Sequence, residues 1–349
     1  MDDQPEAASP EPLDGRAELS EFLRTRRAKL RPGDVGLPEF GRHRRVPGLR
    51  REELAQLAGV SVAYYTRLEQ GNGRNVSAEV LDAIARALRL TDAESAHLTH
   101  LAKPRHRKQR RPARVQRVRK GLLYLLDSMD GIPAYVTGAR SDILAWNPMA
   151  AAVFGDWGAL PPAERNWARL VFLSPACRDL FVNWDAKASD MVSYLRLYAG
   201  CHPEDPELSA LVGELSVKSD EFRRLWATHN VKEKGHGVKL LRHPLVGELT
   251  LSYETLNLPD DGEQHLVTYH AEPGSESAQS LRLLASWGAD AGRVDEARRG
   301  RAGPASDDDG SGRPGPGDAD SGAPVSFSEY GEMRRRLPGL YRDSLHCDP

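Results

Sequence analysis

Arg50-Arg51-Glu52-Glu53-Leu54-Ala55-Gln56-Leu57-Ala58-Gly59-Val60-Ser61-Val62-Ala63-Tyr64-Tyr65-Thr66-Arg67-Leu68-Glu69-Gln70-Gly71 is the stretch whose reading decides the fold of the N-terminal part of this chain. It reads as two short helices joined at Gly59, the spacing of a helix-turn-helix unit. Leu54, Ala55, Leu57 and Ala58 form the apolar face of the first helix. Gly59 supplies a residue that reaches positive φ where that helix ends. Val60 is expected to point inward, and the Ser61 hydroxyl to cap the second helix. Tyr65 and Leu68 then face the core, which leaves Val62, Ala63, Thr66 and Arg67 outward. A plain helical hairpin shares this spacing, so periodicity alone leaves both readings open.

Working outward, Leu19, Phe22, Leu23 and Leu30 predict a helix over 18–30. Residues 31–49 hold Gly, Pro and the basic cluster Arg42-His43-Arg44-Arg45. Val80, Leu81, Ile84, Ala85 and Leu88 predict a fourth helix from about Ser77, and Thr91-Asp-Ala-Glu94 is a capping box for a fifth, ending near Leu101. Residues 103–120 contain ten Lys/Arg and no acid, with Pro104 and Pro112 interrupting. They read as a linker, helical at most where it enters Leu122–Leu126. Its charge serves either phosphate contacts or simple solvation.

Further on, Ala134–Thr137 and Asp142–Trp146 read as a hairpin around Gly138. Asn147-Pro148, Ser174-Pro175, Asp205-Pro206 and Ser219-Asp220-Glu221 each place a cap before a helical run. From Gly237 the pattern becomes strand-like in Val238–Arg242, Glu248–Leu256 and His265–Ala271, with turns at Gly247 and Pro259-Asp-Asp-Gly262. Two strands, several helices and three antiparallel strands is a PAS-like order.

The net charge of -2 conceals an asymmetry. Residues 16–120 carry 25 Lys/Arg against 11 Asp/Glu, whereas residues 1–15 carry five acids and no base. A basic segment joined to an acidic body is what a chain needs if one part alone meets phosphate. Cys177, Cys201 and Cys347 are odd in number and far apart, so no disulfide framework or CxxC pair follows. The N-terminus lacks the basic and apolar regions of a signal peptide, and no run has the length of a membrane span. The expectation is a soluble, cytoplasmic protein with no membrane contact.

Glu53-Leu-Ala-x-x-Ala-Gly-Val-Ser61 followed by Tyr64-Tyr-x-x-Leu-Glu-Gln-Gly71 resembles the phage-repressor type of helix-turn-helix, the xenobiotic-response-element family. The later segment resembles the ligand-binding domain of MmyB-like transcription regulators. That likeness is carried by Pro133-Ala-Tyr, Leu144-Ala-Trp-Asn147, Pro162-Ala-Glu-Arg-Asn166, Tyr194-Leu-Arg196, Phe222-Arg-Arg-Leu-Trp226 and His243-Pro-Leu-Val-Gly-Glu-Leu249. Together these imply an α+β chain, an all-α helix-turn-helix DNA-binding domain followed by a PAS-like α+β sensor domain. The expected boundaries are an acidic disordered N-terminus over 1–15, the helix-turn-helix domain over 16–102 and a basic linker over 103–120. The PAS-like domain follows over 121–288, and a disordered tail over 289–349.

By the repressor likeness, Val62, Ala63, Thr66 and Arg67 stand at base-reading positions of a double-stranded DNA operator. The Arg67 fork matches the O6/N7 edge of guanine, although a phosphate contact or a surface ion pair is the competing role. Arg50, Arg51 and Ser61 sit at helix starts, where amides and cations clamp phosphate, and Asn72, Arg74 and Asn75 follow as further phosphate contacts. One unit reads only a few base pairs, so a homodimer on a pseudo-palindrome is expected. By the MmyB likeness, a small apolar or amphipathic molecule, fatty-acid-like, sits in the second domain. Trp146, Asn147, Arg169, Tyr194, Phe222, Trp226 and His229 are candidates for its lining. The alternative is a protein-interaction or dimerisation module without a small ligand.

Catalysis is not indicated. No GxSxG, Walker loop or GxGxxG precedes a helix. His229, His236 and His243 recur every seven residues, but Gly235, Gly237 and the change to strand pattern break any shared face, so neither metal nor cofactor is expected.

Overall fold

The computed structural model describes residues 14–38, 48–73, 76–103, 116–259 and 263–287. The acidic N-terminus through Leu13, the Arg42–Arg45 cluster, Arg74, Asn75, most of the basic linker, the tip of the Pro259–Gly262 turn and the C-terminal tail lie outside them. Among the described residues five α-helices come first: α1 (Gly15–Lys29), α2 (Arg51–Leu57), α3 (Val62–Glu69), α4 (Ala78–Ala87) and α5 (Asp92–Ala102). Side-chain caps start four of them. Asp14 accepts from Arg16 N at 2.9 Å, Ser61 from Tyr64 N at 3.1 Å and Ser77 from Val80 N at 3.3 Å. Thr91 accepts from Glu94 N at 3.3 Å while Glu94 accepts from Thr91 N at 2.9 Å, the reciprocal box that the sequence predicts.

Leu19, Phe22 and Leu23 of α1 meet Leu54, Ala55, Tyr65, Leu68, Leu81, Ile84 and Leu98 in one buried cluster. Leu57 departs from the expected apolar face. It ends α2 on the rim where α2 and α4 diverge, is 37 % exposed, and lines a surface crevice of about 430 Å³ with Ala83, Arg86 and Arg89.

The second half is built on a five-stranded antiparallel sheet of order β2-β1-β5-β4-β3. Its strands are β1 (Ala134–Thr137), β2 (Ile143–Trp146), β3 (Gly237–His243), β4 (Gly247–Asn257) and β5 (His265–His270). Alternation decides the two faces. Tyr135, Leu241, Leu249, Leu251, Tyr253, Val267 and Tyr269 enter the main core. Ala134, Val136 and Leu266 take the opposite face, where Leu122 and Leu126 of α6 (Lys120–Asp127) cover them.

Six helices lie between the hairpin and β3: α7 (Pro148–Phe154), α8 (Trp167–Leu173), α9 (Pro175–Leu180), α10 (Trp184–Cys201), α11 (Pro206–Lys218) and α12 (Asp220–Trp226). A helical stretch over 276–287 closes the domain through Leu281 and Leu284. Pro148, Pro175 and Pro206 each take the first helical position, where the missing N–H costs nothing.

The halves are not independent. α10 packs on α5 as well as on α8 and α12. Leu197 and Val231 from the sheet domain join the core of the helical domain. His97 of α5 is buried at this seam, with Phe22 edge-on at 5.1 Å and neither ring nitrogen hydrogen-bonded. Burial, aided by the Arg196 charge, pushes its imidazole down to about 3. The unfolded chain takes up this proton below about pH 6.5, whereas the folded one refuses it until about 3. Stability therefore falls with acidification across that window, by about 1.4 kcal/mol per pH unit for this one group. In urea titrations between about pH 6 and 5, His97→Leu is expected to lose one proton's worth of the slope. Equal slopes in the two proteins would refute the assignment.

Candidate functional site

The turn between α2 and α3 carries the first candidate site. Gly59 sits at φ +66°, and the Ser61 cap opens α3 with Val62, Ala63 and Arg67 exposed and Thr66 half-buried. Tyr65 and Leu68 face inward. Asn72, exposed, follows the helix with its amide on the Arg67 carbonyl at 3.1 Å. Arg50 is the N-terminal flanking residue of α2, its amide held by Glu53 at 2.7 Å. Arg74 lies outside the described residues.

What fixes α3 is Glu69, a residue that sequence reasoning passed over. Its carboxylate is buried and is met by Arg27 Nε at 2.7 Å, by Arg51 Nε, and by the Tyr65 hydroxyl at 3.2 Å. Burial opposes its ionisation, but the hydrogen bonds from Arg27 and Arg51 hold the carboxyl below its ordinary range. Arg51 is thus tied to the end of α3 through Nε, and only part of its fork is open to a phosphate. Gly71, at φ +84°, lets α1 close over α3: a Cβ there would stand 2.5 Å from the Arg16 carbonyl oxygen.

In the sheet domain, the seven residues expected to line one pocket are dispersed. Asn147 is buried and fully used. Its Oδ1 accepts from Ala134 N and Ala150 N at 3.0 and 2.9 Å, and its Nδ2 donates to the Met129 and Ile132 carbonyls. Four bonds leave it no capacity for a ligand. Arg169 pairs with Glu214 at 2.8 Å and with the Ala163 carbonyl. Phe222 is core, stacked on Trp226 at 5.5 Å, and His229 sits at the seam with α1. Trp146 packs edge-on to Trp157 at 5.7 Å.

Tyr194 alone meets a different group. Tyr135, Tyr253 and Tyr269 stand together on the inner face, the Tyr135 and Tyr269 hydroxyls 3.2 Å apart, and Tyr194 interacts with them from α10. Lys187, two helical turns earlier, is buried with its Nζ 4.4 Å from the Trp167 ring centre and 5.1 Å from that of Phe181. Burial and the nearby Lys239 charge push its ammonium down to about 8. Burial does the same to Lys234, also to about 8; its Nζ reaches the Thr137 hydroxyl at 3.4 Å. The indole N–H groups of Trp157 and Trp167 are buried without an acceptor. This part of the core gathers several donors, and the Asp190 carboxylate beside it is already held by Lys232 at 2.7 Å and Lys239 at 3.1 Å.

Comparison with known families fits this layout. Residues 18–98 match the model of a helix-turn-helix domain, and residues 118–284 that of the MmyB-like transcription regulator ligand binding domain. The chain is a helix-turn-helix transcription regulator with an MmyB-like ligand-binding domain. A search of the curated proteins found no matching relative. Both matched families are regulator domains rather than enzymes. No helix among the described residues of the regulator is long and apolar enough to cross a membrane.

The lysines of the MmyB-like domain carried one legible signal. Lys187 interrupts an otherwise apolar helical face in Trp184-Asp-Ala-Lys-Ala-Ser-Asp-Met. A charge at such a position is either an error of phase or a buried functional group. The tyrosines gave none, because aromatic residues on alternate strand positions read as ordinary core.

Proposed function

We propose that this regulator reads a specific double-stranded operator as a homodimer, and that its PAS-like sheet domain binds a small amphipathic effector with an acidic end, of the fatty-acid type. For the DNA arm, the carrying observation is the exposed α3 face. Val62 and Ala63 offer apolar contact to thymine methyls, Thr66 one hydroxyl, and Arg67 a bidentate fork. Arg50, Arg51, Ser61 and Asn72 flank that face as phosphate contacts, and Arg74 follows in sequence. A face with one strong reader needs a second half-site to reach useful specificity, which supports the dimer.

Selecting bound duplexes from a random pool tests this arm. A two-fold symmetric motif is expected to emerge. Arg67→Ala is expected to cost about 1–3 kcal/mol on the selected site and to relax one base position. No enrichment, or an unchanged affinity in Arg67→Ala, overturns the reading.

For the effector arm, the strand order and the flanking helices support a PAS-like sensor. The donor-rich cluster supports an acceptor-bearing guest. Buried donors without acceptors each carry a desolvation cost of about 1–3 kcal/mol, which a carboxylate would relieve. Lys187, Trp167 and the Tyr135–Tyr269 pair would hold the acid end, with Trp146 and Tyr194 beside an apolar body. A long-chain carboxylic acid is therefore expected to quench the tryptophan emission saturably, and its methyl ester to do so at least about ten-fold more weakly. Equal binding of acid and ester, or binding of neither, defeats the effector assignment.

A further inference from the structure

The Tyr194-Leu-Arg196 and Phe222–Trp226 motifs belong to the sheet domain, yet Arg196 does not face the donor-rich cluster. It is 1 % exposed and points across the seam to α1 of the helix-turn-helix domain. There its guanidinium pairs with Glu18 and donates to the Trp226 carbonyl, and its Nη1 donates to His229 Nδ1 at 2.9 Å. The Trp226 ring lies beneath it at 4.0 Å. A second strand of contacts runs beside this one. Arg26 of α1 donates to the His229 carbonyl at 2.6 Å and to Asn230 Oδ1 at 3.1 Å, and it pairs with Glu94 of α5 at 3.0 Å. A charge buried this deeply persists only where its partner is fixed, so the pair ties α1 to the sheet domain in addition to the packing of α1 on α3 and α5.

We infer that α10 and the Glu18–Arg196 pair form the joint through which the sheet domain sets the position of the recognition helix α3. The geometry supplies each link. Lys187, Tyr194 and Arg196 share one unbroken helix, so the cluster and the seam are about 14 Å apart on a single rigid rod. Phe222 in the core stacks on Trp226, which carries the Arg196 guanidinium. On the far side α1 is locked to α3 twice, by Arg27 on Glu69 and by Arg16 over Gly71. A guest that draws on Lys187 or Tyr194 moves α10, and with it the residue that holds α1. Ligand control through this joint rests on the effector reading above; the mechanical tie between the domains does not.

Hydrogen exchange on the full chain separates the two. In Glu18→Gln, the amides of α1 and α3 are expected to exchange at least about ten-fold faster than in the wild type, while those of β4 and β5 keep their rates. Arg196→Met should give the same pattern, and the double variant no more than either single one. All six tryptophans lie between residues 146 and 287, so in Glu18→Gln, which leaves Arg196 over Trp226, their emission reports whether the sheet domain is folded. If the emission is native and α3 exchange is unchanged, the joint is refuted. Refutation also follows if exchange accelerates equally in β4 and β5, or if the two substitutions add. Should neither the acid nor the ester bind, the effector reading alone falls and the exchange result stands on its own.

Discussion

Glu69→Ala is expected to destabilise the helix-turn-helix domain by about 3–5 kcal/mol and to remove DNA binding with it. Glu69 is 2 % exposed and takes charge from Arg27, itself mostly buried, and from Arg51. Deleting the carboxylate leaves the Arg27 guanidinium in the protein interior without its counter-charge, its neutral partners being the Leu49 carbonyl at 2.6 Å and the Tyr65 hydroxyl. It also frees the Tyr65 hydroxyl inside the core. Domains of this size are stable by only about 5–15 kcal/mol, so the loss approaches global unfolding. Glu69→Gln keeps hydrogen-bonding oxygen at the site and should lose markedly less. Urea denaturation followed by circular dichroism decides the matter; an alanine variant within 1 kcal/mol of the wild type would falsify this account of how α3 is held.

Trp157→Ala is the second large effect, again about 3–5 kcal/mol, in the sheet domain. Trp157 is wholly buried and stands among Tyr135, Trp146, Phe154 and Trp167, with ring centres 5.4 to 6.1 Å away. Truncation removes a large apolar surface from the centre of the aromatic group and opens a cavity that neighbouring rings are too rigid to fill. Trp157→Phe provides the discriminating comparison. It discards an indole N–H that has no acceptor, so part of the lost packing is offset by a lifted desolvation cost. The order expected in thermal melts is wild type, then phenylalanine, then alanine, with a wide gap before the last. Similar losses for both variants would refute this account, because phenylalanine keeps most of the ring volume that alanine lacks.

Most elements were legible because short-range chemistry marks their starts. Ser61, Ser77, Thr91, Asn147, Ser174, Asp205 and Ser219 each announce a helix through a cap that the structure realises. The three late strands follow from alternation and Gly247. α10 escaped notice because it begins without a side-chain cap and because Lys187, Ser193 and Arg196 stand among the buried residues that Ala188, Met191, Val192, Leu195 and Ala199 make apolar. Charged residues on the buried stripe blur the contrast between the two faces that would betray its period.

Which residues of α3 are exposed was legible for the same reason as the caps: the phase of the helix follows from Gly59, Tyr65 and Leu68. The sheet-domain site was not. Asn147, Phe222 and Trp226 look like a pocket when ranked by residue type, yet one is a capping residue, one is core and one supports Arg196. Which of these a side chain becomes depends on contacts more than a hundred residues apart, such as Tyr135 on Tyr269 and Glu18 on Arg196. Local periodicity carries no information about such pairs.

Leu197 and Val231 close the core of the helical half from the other side of the linker. This bears on how such chains can be cut and recombined. A fragment ending in the basic linker would expose the hollow these two side chains fill, and would be a poorer fold than the same residues within the whole protein. A chimera that exchanges the sensor for another must carry over the end of α10 and the segment around Val231, or supply apolar groups of equal volume. The modular boundary of this protein runs through three-dimensional contacts, and the gap between its two domain sequences marks it only on paper.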